Sequence, residues 1–308
     1  MKLRGERLLI TGASSGIGYA MAIAFAREGA VLAVSARRGD RLDQLAKRIE
    51  SECGGRAIAL VADLSRRGEA AELARRAVEA LGGVDGLVNN AGIGLAGAQW
   101  IAADRDEARE VFETNFWSPL ALIQSLVPAM RQRGEGSVVN VTSMVQIAGV
   151  PHATHYAASK AALANATETL RQELRGSGVH ALEVIPGPVE TAMQNEARLT
   201  PGFSAALERS PVGDPEALAR LVIRALARRK PRVVYPRVLR VGYELPALTR
   251  WSMGFSTRHV DASDTRLRRS GSFGDPEARE ARDAWERARS RTRKFVTGVS
   301  TTPPAGVT

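Results

Sequence analysis

The chain has 308 residues, and its 43 lysines and arginines against 33 acidic residues give a formal net charge of +10. This length suits one α/β domain with an extension or two small domains, and the single cysteine, Cys53, excludes a disulfide-stapled scaffold. A lone cysteine fits a reducing compartment, and no secretory signal precedes the strand-like run at 7–10, so we expect a cytoplasmic protein. No charge-free apolar run reaches ~18 residues, so no membrane-spanning helix is predicted.

The positive charge is concentrated near the C-terminal third. Residues 224–258 contain nine basic residues and one acidic residue, Glu244. This composition indicates a solvated basic face, and without a recognition motif or interleaved aromatic residues no nucleic-acid partner is expected. Over 236–258 the arginines are mixed with Leu, Val, Tyr and Trp, which leaves three roles open: packing over a cleft, a subunit interface, or peripheral contact with an anionic membrane.

A glycine-rich turn follows the first predicted strand. Residues 7–18 read RLLITGASSGIG, so an apolar run ends at Gly12, and Gly16 and Gly18 open a helical pattern. Glycine is needed where the backbone turns tightly or where a side chain would obstruct a phosphate, and the N–H groups at a helix N-terminus favour anions. This strand–loop–helix arrangement predicts a pyrophosphate site of the kind that holds dinucleotides.

The end of the second predicted strand indicates which dinucleotide is bound. Sites for NAD usually place a carboxylate there to bind the ribose 2′-hydroxyl. In this chain Ala36 is followed by Arg37 and Arg38, whose guanidinium groups are suited to the 2′-phosphate of NADP. NADP is therefore the predicted cofactor and NAD the less favoured one, while an exposed Arg–Arg turn is the alternative interpretation.

Strands alternate with helices along the first 235 residues. This alternation is typical of right-handed βαβ units and predicts an α/β fold with a doubly wound parallel sheet of seven strands, helices on both faces, and a C-terminal extension. Ligands of such sheets bind at the carboxyl ends of the strands, where the polar motifs fall. Strands are predicted at 7–10, 29–35, 56–61, 84–88, 137–141, 179–185 and 232–235, and helices at 19–28, 40–52, 66–81, 104–131, 156–175 and 214–229.

Two side chains with acid–base potential are spaced one helical turn apart. Tyr156 and Lys160 lie in an alanine-rich stretch that favours a helix, and Ser143 follows the fifth predicted strand. A free tyrosine is a poor acid at neutral pH because its pKa is about 10, and a neighbouring ammonium group lowers that pKa by roughly 1–3 units. The trio predicts a site that protonates an oxygen, and an ordinary exposed helix pair is the alternative.

Together these residues resemble the single-domain, NADP-preferring branch of the short-chain dehydrogenase/reductase family, over about residues 5–235. The resemblance implies a Rossmann-type sheet and hydride transfer between a carbonyl compound and an alcohol. The matching elements, in family order and spacing, are Thr11-Gly-Ala-Ser-Ser-Gly-Ile-Gly18, Asp63, Asn89-Asn-Ala-Gly92, Asn115, Ser143, Tyr156-x-x-x-Lys160 and Pro186-Gly-x-x-x-Thr191.

The resemblance also implies a catalytic set of four residues. Ser143 is expected to hold the substrate carbonyl, and Tyr156 to give it a proton during reduction or take one during oxidation. Lys160 is expected to bind the nicotinamide ribose and to lower the tyrosine pKa, and Asn115 to hold a water that links Lys160 to solvent.

The cofactor set combines the family motifs with the arginine pair. Asp63 is expected beside the adenine, Asn89 beside the adenosine ribose, and the Val189 backbone and Thr191 at the carboxamide. The full set is Gly12, Ser14, Ser15, Gly16, Ile17, Gly18, Arg37, Arg38, Asp63, Leu64, Asn89, Ala91, Gly92, Tyr156, Lys160, Pro186, Gly187, Val189 and Thr191.

Two histidines lie between the predicted catalytic serine and tyrosine. No further His or Cys is spaced to complete a metal site around His152 and His155, so no metal is predicted and both are interpreted as loop residues at the substrate entrance.

Three segments are predicted. Residues 1–236 form the domain with the cofactor and catalytic sites, and 237–260 form a basic apolar element over a cleft or interface. Residues 261–308 form a polar, arginine-rich tail that is largely flexible, with one short helix possible near 276–293.

The leading functional hypothesis is an NADP(H)-dependent oxidoreductase that interconverts a ketone or aldehyde and an alcohol. Its expected partners are a small-molecule substrate and further copies of itself, as a homodimer or homotetramer. One alternative is a peripheral-membrane enzyme for lipid or sterol-like substrates. The other is a non-catalytic NADP-binding regulator, against which the complete set of Ser143, Tyr156 and Lys160 argues.

Overall fold

Seven parallel strands form the central sheet of the chain. The computed structural model describes residues 3–197, 210–261 and 268–270, all within a compact unit that spans Met1–Gly271. The strands are β1 (Arg7–Thr11), β2 (Val31–Ala36), β3 (Ala57–Val61), β4 (Gly86–Asn89), β6 (Gly136–Val141), β7 (Val179–Pro186) and β8 (Arg232–Tyr235). Their order, β3-β2-β1-β4-β6-β7-β8, confirms the predicted Rossmann-type doubly wound sheet.

Eleven helices are described along the chain, and six of them cover the two faces of this sheet. They are α1 (Gly16–Arg27), α2 (Gly39–Cys53), α3 (Glu69–Leu81), α4 (Gln99–Ala102), α5 (Asp106–Phe112), α6 (Ser118–Arg133), α7 (Thr154–Glu173), α8 (Ala192–Ala197), α9 (Pro215–Ala227), α10 (Leu239–Glu244) and α11 (Pro246–Thr257). One apolar cluster joins the sheet to α1, α2 and α9, and a second joins it to α3, α6 and α7. Strand β1 is therefore buried on both sides, as its continuous apolar run Leu8–Ile10 requires.

The parallel register brings the carboxyl ends of the strands to one edge. Ile10 of β1 pairs with Val88 of β4, and Asn89 pairs with Asn140 of β6. The loops that leave β1, β4, β6 and β7 therefore begin side by side, and the polar motifs of the sequence lie on these loops.

The helical region predicted over about 104–131 is confirmed, but it is not one regular α-helix. Helix α5 starts at Asp106, after Ala103 takes a positive φ of 39°, and a π-helical turn at Glu113–Trp117 separates α5 from α6. The third helix also starts later than predicted, because Gly68 takes a φ of 89° and α3 begins only at Glu69. A small antiparallel pair, β5 (Gly94–Ala96) with β9 (Arg268–Ser270), is absent from the predicted strands.

The segment after β8 forms the two short helices α10 and α11. Arg250 of α11 donates from Nε to the Ile147 carbonyl at 2.9 Å, and Leu239 of α10 occupies the space in which a side chain on Gly187 would lie. The predicted boundaries at 236 and 260 stay predictions, and the predicted helix near 276–293 and most of the predicted flexible tail lie outside the described residues. Within the described ranges, no helix has the length and apolar character needed to span a bilayer.

An ion pair at the amino-terminal ends of the strands joins β1 to the segment before β4. Asp85 Oδ2 accepts hydrogen bonds from the Arg7 backbone N–H at 3.0 Å and from Arg7 Nε at 2.8 Å, and Oδ1 accepts one from Nη2 at 2.7 Å. Arg133 Nη2 lies 3.3 Å from the same Oδ1 atom. Hydrogen bonding from the Arg7 side chain holds the pKa of Asp85 below its ordinary value, so this pair stabilises the fold more than an exposed one.

Replacing Asp85 with alanine is expected to lower the free energy of unfolding by about 2 kcal/mol, because half-buried arginine donors lose their carboxylate. The matched control is Glu52→Ala, since the Arg48–Glu52 pair is exposed and screened by solvent, so its loss should change stability much less. Because the pKa of Asp85 is lowered on folding, its contribution is present above the unfolded pKa of about 4 and is lost as the pH falls through the folded pKa. Urea unfolding of both variants over this range measures the difference, and equal stabilities at neutral pH would contradict it.

Candidate active site

The glycine loop after β1 is pressed against the loop after β4. Gly12 has a φ of 67°, and a Cβ on it would lie 2.7 Å from the Ala91 Cα and 2.8 Å from Asn90 Nδ2. Gly16 has a φ of 60°, and its Cβ would lie 3.0 Å from Thr191 Cγ2. Any other residue at these two positions would be strained and crowded, so the loop exposes bare backbone at the N-terminus of α1, as a phosphate site requires.

Thr11 and Asn90 fix the conformation of this loop, and the sequence interpretation gave neither of them a role. The Thr11 hydroxyl donates to the Val88 carbonyl at 3.2 Å and accepts from the backbone N–H groups of Asn90 and Ala91 at 3.0 and 3.1 Å. Asn90 Nδ2 donates to the carbonyls of Thr11 and Gly12 at 3.0 and 3.2 Å. The sequence could have indicated this contact, because Thr11 and Asn90 are polar residues at the ends of two strands that are adjacent in a parallel sheet.

Arg38 contacts the glycine loop directly. Its Nη2 atom donates to Ser14 Oγ at 3.0 Å and to Ser15 Oγ at 3.2 Å, while Arg37 is exposed. Ala36, at the end of β2, provides no carboxylate in this region. The structure thus places a guanidinium group and two hydroxyls beside the helix N-terminus, which is a donor-rich site for a phosphate.

Two cofactor-binding residues, Asp63 and Leu64, are predicted after β3. The Asp63 side chain forms hydrogen bonds within its own loop. Asp63 Oδ1 accepts hydrogen bonds from the Ser65 N–H at 3.1 Å and the Ser65 hydroxyl at 2.8 Å. Leu64 is buried, and its carbonyl accepts a hydrogen bond from Ser118 Oγ at 2.8 Å. These bonds fix the loop at the edge of the sheet beside β2, where the adenine is expected.

Asn89 belongs to a buried polar chain that reaches α7. Its Nδ2 donates to Asn140 Oδ1, and Asn140 Nδ2 donates to Thr167 Oγ1, each at 2.8 Å. The Asn89 Oδ1 atom is buried without a hydrogen-bond partner. Because a buried acceptor without a donor is destabilising, this atom is available to a ligand hydroxyl, which fits the ribose predicted there.

The loop after β7 closes the other side of the site. Gly187 follows Pro186, and its N–H donates to a carbonyl of β8 at 2.7 Å. Val189 forms an isolated parallel bridge with Gly213, and Thr191 contacts the position of Gly16 as described above. A parallel bridge uses the peptide groups that flank Val189, so its own N–H and C=O point away from Gly213, as a backbone contact with a ligand requires.

Ser143 and Tyr156 meet at the carboxyl end of β6. Ser143 begins the short helical turn Met144–Ile147 and accepts a hydrogen bond from the Val145 N–H at 3.4 Å. Partial burial raises the pKa of the Tyr156 phenol, and a side-chain hydrogen bond with Ser143 opposes the rise. The two side chains are therefore neighbours, and both hydroxyls can contact one substrate oxygen.

Lys160 lies one turn along α7 and is almost completely buried. Its Nζ donates to the Val141 carbonyl at 2.8 Å and lies 5.9 Å from the centroid of the Tyr156 ring. Burial lowers the pKa of Lys160 to about 8. Ser143 is the group that opposes the rise in the tyrosine pKa in the structure, and the expected lowering of that pKa by Lys160 stays a prediction.

Asn115 lies in the π-helical turn and is fully buried. Its Nδ2 donates to the Ile93 carbonyl at 2.9 Å and to Ser159 Oγ at 3.0 Å, and its Oδ1 accepts from the Ile93 N–H at 2.9 Å. A Cβ on Gly92 would lie 3.4 Å from both Asn115 Oδ1 and Lys160 Nζ, so both groups lie close to Gly92. Asn115 thus positions the β4–β5 loop beside Lys160, and its proposed water stays a prediction.

The two histidines hold backbone segments in place. His152 Nε2 lies 3.1 Å from the Asp261 carbonyl, and His155 Nε2 lies 2.8 Å from the Ala103 carbonyl. Each ring therefore tethers a loop near the catalytic residues.

A buried carboxyl lies directly behind the serine. Glu183 Oε1 accepts hydrogen bonds from Thr142 Oγ1 and from Gln146 Nε2, both at 3.1 Å, and these residues flank Ser143 in the chain. Burial raises the pKa of Glu183, while the two hydrogen bonds and the more distant charges of Arg232 and Arg171 oppose the rise. Sequence reasoning missed Glu183 because an acidic residue inside a predicted strand carries no motif.

Comparison with known proteins establishes the family. A family model described as short chain dehydrogenase matches residues 6–202. The chain belongs to the short-chain dehydrogenase/reductase family. Among its relatives, ketoacyl reductase HetN of a Nostoc species is 34% identical over 235 residues, which cover 75% of this chain and 79% of that protein. The 3-oxoacyl-[acyl-carrier-protein] reductase FabG of Thermotoga maritima is 36% identical over 226 residues, covering 72% and 91%.

Solved structures of the same family show both nicotinamide dinucleotides. A short-chain dehydrogenase from Sphingobium yanoikuyae in complex with NADPH superposes with a TM-score of 0.69 at 29% identity, covering 85% of this chain and all of that one. A short-chain dehydrogenase/reductase from Burkholderia phymatum in complex with NAD has a TM-score of 0.71 at 27% identity, covering 81% and 97%. The family and its fold therefore support a nicotinamide dinucleotide as the cofactor and an oxidoreductase activity.

Replacing Glu183 with glutamine is expected to change how stability depends on pH. The folded pKa of Glu183 lies above the unfolded pKa of about 4.5, so its contribution is fully present below that value and is lost as the pH rises through the folded pKa. Glutamine does not ionise, so the stability of Glu183→Gln relative to the parent should rise with pH by about 1.4 kcal/mol per unit of pKa shift. Unfolding titrations between about pH 4 and pH 8 measure this, with the exposed Glu168→Gln as control. Parallel curves for parent and Glu183→Gln would contradict it.

Proposed function

We propose that the chain is an NADP(H)-dependent oxidoreductase that interconverts a ketone or aldehyde and the corresponding alcohol. The observation that carries the proposal is the meeting of Ser143, Tyr156 and Lys160 at the carboxyl ends of the strands, beside a loop whose glycines leave no room for a Cβ. The supporting relatives are reductases of carbonyl groups by name, a ketoacyl reductase and an oxoacyl-carrier-protein reductase.

The dinucleotide, when bound, supplies or accepts the hydride. This chain would hold its phosphates at Gly12, Gly16 and the N-terminus of α1, and its adenosine ribose at the buried Asn89 Oδ1. The fit is supported by the lack of room for a Cβ at Gly12 and Gly16 and by the otherwise unpartnered amide oxygen.

The proton is moved by the tyrosine. During reduction the Tyr156 hydroxyl donates its proton to the carbonyl oxygen while Ser143 donates a hydrogen bond to the same oxygen, and oxidation reverses these steps. Because its pKa is about 8, Lys160 is mostly an ammonium at neutral pH, and a positive charge on the same helix face favours the phenolate that reduction leaves behind. Protonation of an oxygen is thus possible without a metal ligand set.

A preference for NADP over NAD is supported by the second strand end. The guanidinium group of Arg38 lies against Ser14 and Ser15, and Ala36 leaves no carboxylate to repel a 2′-phosphate. A ribose 2′-phosphate at this position would gain charge-assisted hydrogen bonds that NAD cannot form. We further propose a small-molecule carbonyl or alcohol substrate, a homodimer or homotetramer, and a cytoplasmic location.

The non-catalytic alternative is disfavoured by the completeness of the site. A regulator that only binds the dinucleotide would not need a serine and a tyrosine hydroxyl within reach of one oxygen, backed by a buried lysine. The other alternative is an enzyme for lipid or sterol-like substrates. Nothing in the arrangement of the catalytic residues favours it.

Replacing Arg38 with alanine is expected to weaken NADPH binding about 10- to 100-fold, because the 2′-phosphate loses its guanidinium partner. NADH is the matched control ligand, because it lacks the phosphate, and its affinity should change less than about threefold. Arg37→Ala should have the smaller effect of the two arginine variants, since Arg37 is exposed and Arg38 contacts the loop. Fluorescence titrations of both nucleotides measure this, and a parent that binds NADH as tightly as NADPH would show that the NADP preference is wrong.

Replacing Tyr156 with phenylalanine is expected to lower kcat about 100- to 10,000-fold for any carbonyl compound that the parent reduces, because general acid catalysis is lost. NADPH affinity should stay within about twofold, which separates loss of chemistry from loss of folding. The control is Tyr19→Phe, since the Tyr19 hydroxyl bonds to Arg48 on α2 and its loss should leave kcat unchanged.

A panel of ketones and aldehydes, followed by NADPH absorbance, provides the measurement. Parental turnover by Tyr156→Phe would contradict the proposed role of the tyrosine. NADPH binding by the parent without turnover of any compound, in either direction, would favour the regulator instead.

A further inference from the structure

The outward side of α10 and α11 is apolar and exposed. Trp251 is 70% exposed, the highest value among the large apolar side chains of the described residues. Leu248, Trp251 and Phe255 follow one another at intervals of three and four residues, so they share one face of α11. We call the following set the C-terminal apolar face: Val238, Val241, Leu245, Leu248, Trp251 and Phe255.

The inward side of the same helices is fixed to the body of the protein. Leu239 fills the space above Gly187, and the Thr249 hydroxyl donates to the Gly242 carbonyl at 2.7 Å, which joins the two helices. Arg250 Nε donates to the Ile147 carbonyl at 2.9 Å. The helices are therefore anchored by one side, and the apolar face is not the side that packs on the core.

Aromatic rings and arginines adjoin each other on this face. The rings of Trp251 and Phe255 are stacked, with centroids 6.2 Å apart and planes inclined by 20°. The Arg258 guanidinium carbon lies 3.9 Å from the centroid of the Phe255 ring. Aromatic rings with neighbouring cations are suited to the boundary between the hydrocarbon core and the headgroups of a lipid bilayer.

The charge of the segment has one sign. Residues 237–258 contain four arginines (Arg237, Arg240, Arg250 and Arg258) and a single acidic residue, Glu244, which gives a net charge of +3. Glu244 lies 3.8 Å from Arg240, so the only acid in the segment is already paired with an arginine. A surface that combines exposed apolar side chains with this excess complements a negatively charged, apolar partner.

We propose that the C-terminal apolar face docks on an anionic lipid bilayer. The aromatic and aliphatic side chains enter the interfacial layer, and the arginines contact the phosphate and carboxylate groups of the lipids. No spanning segment is required, since an amphipathic helix lying in the plane of the interface binds through buried apolar area together with attraction to anionic lipids.

Two other occupants are disfavoured by charge. A second copy of this chain, paired through a two-fold axis, would bring a segment of net charge +3 against an identical one. The chain's own residues 271–308 contain seven basic and five acidic residues, a net charge of +2, so they also have the same sign as the face. Neither supplies the negative charge that the arginines complement.

The first test is co-sedimentation of the full chain with vesicles. The probes are vesicles of phosphatidylcholine alone and vesicles of phosphatidylcholine with about a third of phosphatidylserine, each at low and at high salt. Binding to the anionic vesicles at least 10-fold stronger than to the neutral ones, weakened by salt, is the expected result. No binding of the parent chain to anionic vesicles would overturn the proposal.

Variants then locate the contact. Trp251→Ala with Phe255→Ala, and separately Arg240→Gln with Arg258→Gln, should each reduce binding at least fivefold, and circular dichroism should confirm that they are folded. The apolar control is Trp100→Ala, since Trp100 is 69% exposed on α4. The charge control is Arg131→Gln with Arg175→Gln, two exposed arginines of which one lies on α6 and the other in the turn after α7.

Each remaining outcome decides the matter. Unchanged binding by the Trp251 and Phe255 variant would place the lipid contact elsewhere and overturn the proposal. A second result would also overturn it: the parent does not bind anionic vesicles, and light scattering shows that the variant converts an oligomer into monomers. The face would then be a subunit interface.

Discussion

The close approach of two backbone loops, one after β1 and one after β4, determines the rest of the site. At Gly12 the two backbone segments are so close that a Cβ cannot be accommodated. The Thr11 hydroxyl and the Asn90 side-chain amide form hydrogen bonds between the two loops. Because β1 and β4 are hydrogen-bonded neighbours in a parallel sheet, their ends cannot separate. These contacts therefore fix the position of the phosphate loop after β1. They also fix the segment after β4, in which Gly92 lies close to Lys160.

A second connection runs through buried amides. The chain from Asn89 through Asn140 to Thr167 joins β4, β6 and α7, so the helix that carries Tyr156 is held to the strand end beside the ribose position. Buried hydrogen bonds of this kind fix the relative orientation of the elements that they join. The tyrosine and the cofactor loop are thus positioned by the same sheet, through two separate sets of hydrogen bonds.

The sequence predicts those features that follow from strand order alone. The glycines, Ser143 and the Tyr156–Lys160 pair could be placed together because parallel strands share one carboxyl edge. The π-helical turn around Asn115 could not, since an extra residue in one helical turn leaves no periodic signal. The roles of Asn90 and Glu183 depend on contacts with residues far away in the chain, and the pKa of Lys160 depends on burial, which composition does not reveal.

Lys160 also links ligand binding to proton exchange with solvent. With a pKa of about 8, this side chain is a mixture of amine and ammonium in mildly alkaline solution. Any bound molecule that brings an oxygen acceptor to its Nζ atom favours the ammonium, so that molecule binds together with a fraction of a proton. The apparent affinity of such a molecule must then decline as the solution becomes more alkaline, and the heat measured on binding must vary with the ionisation enthalpy of the buffer.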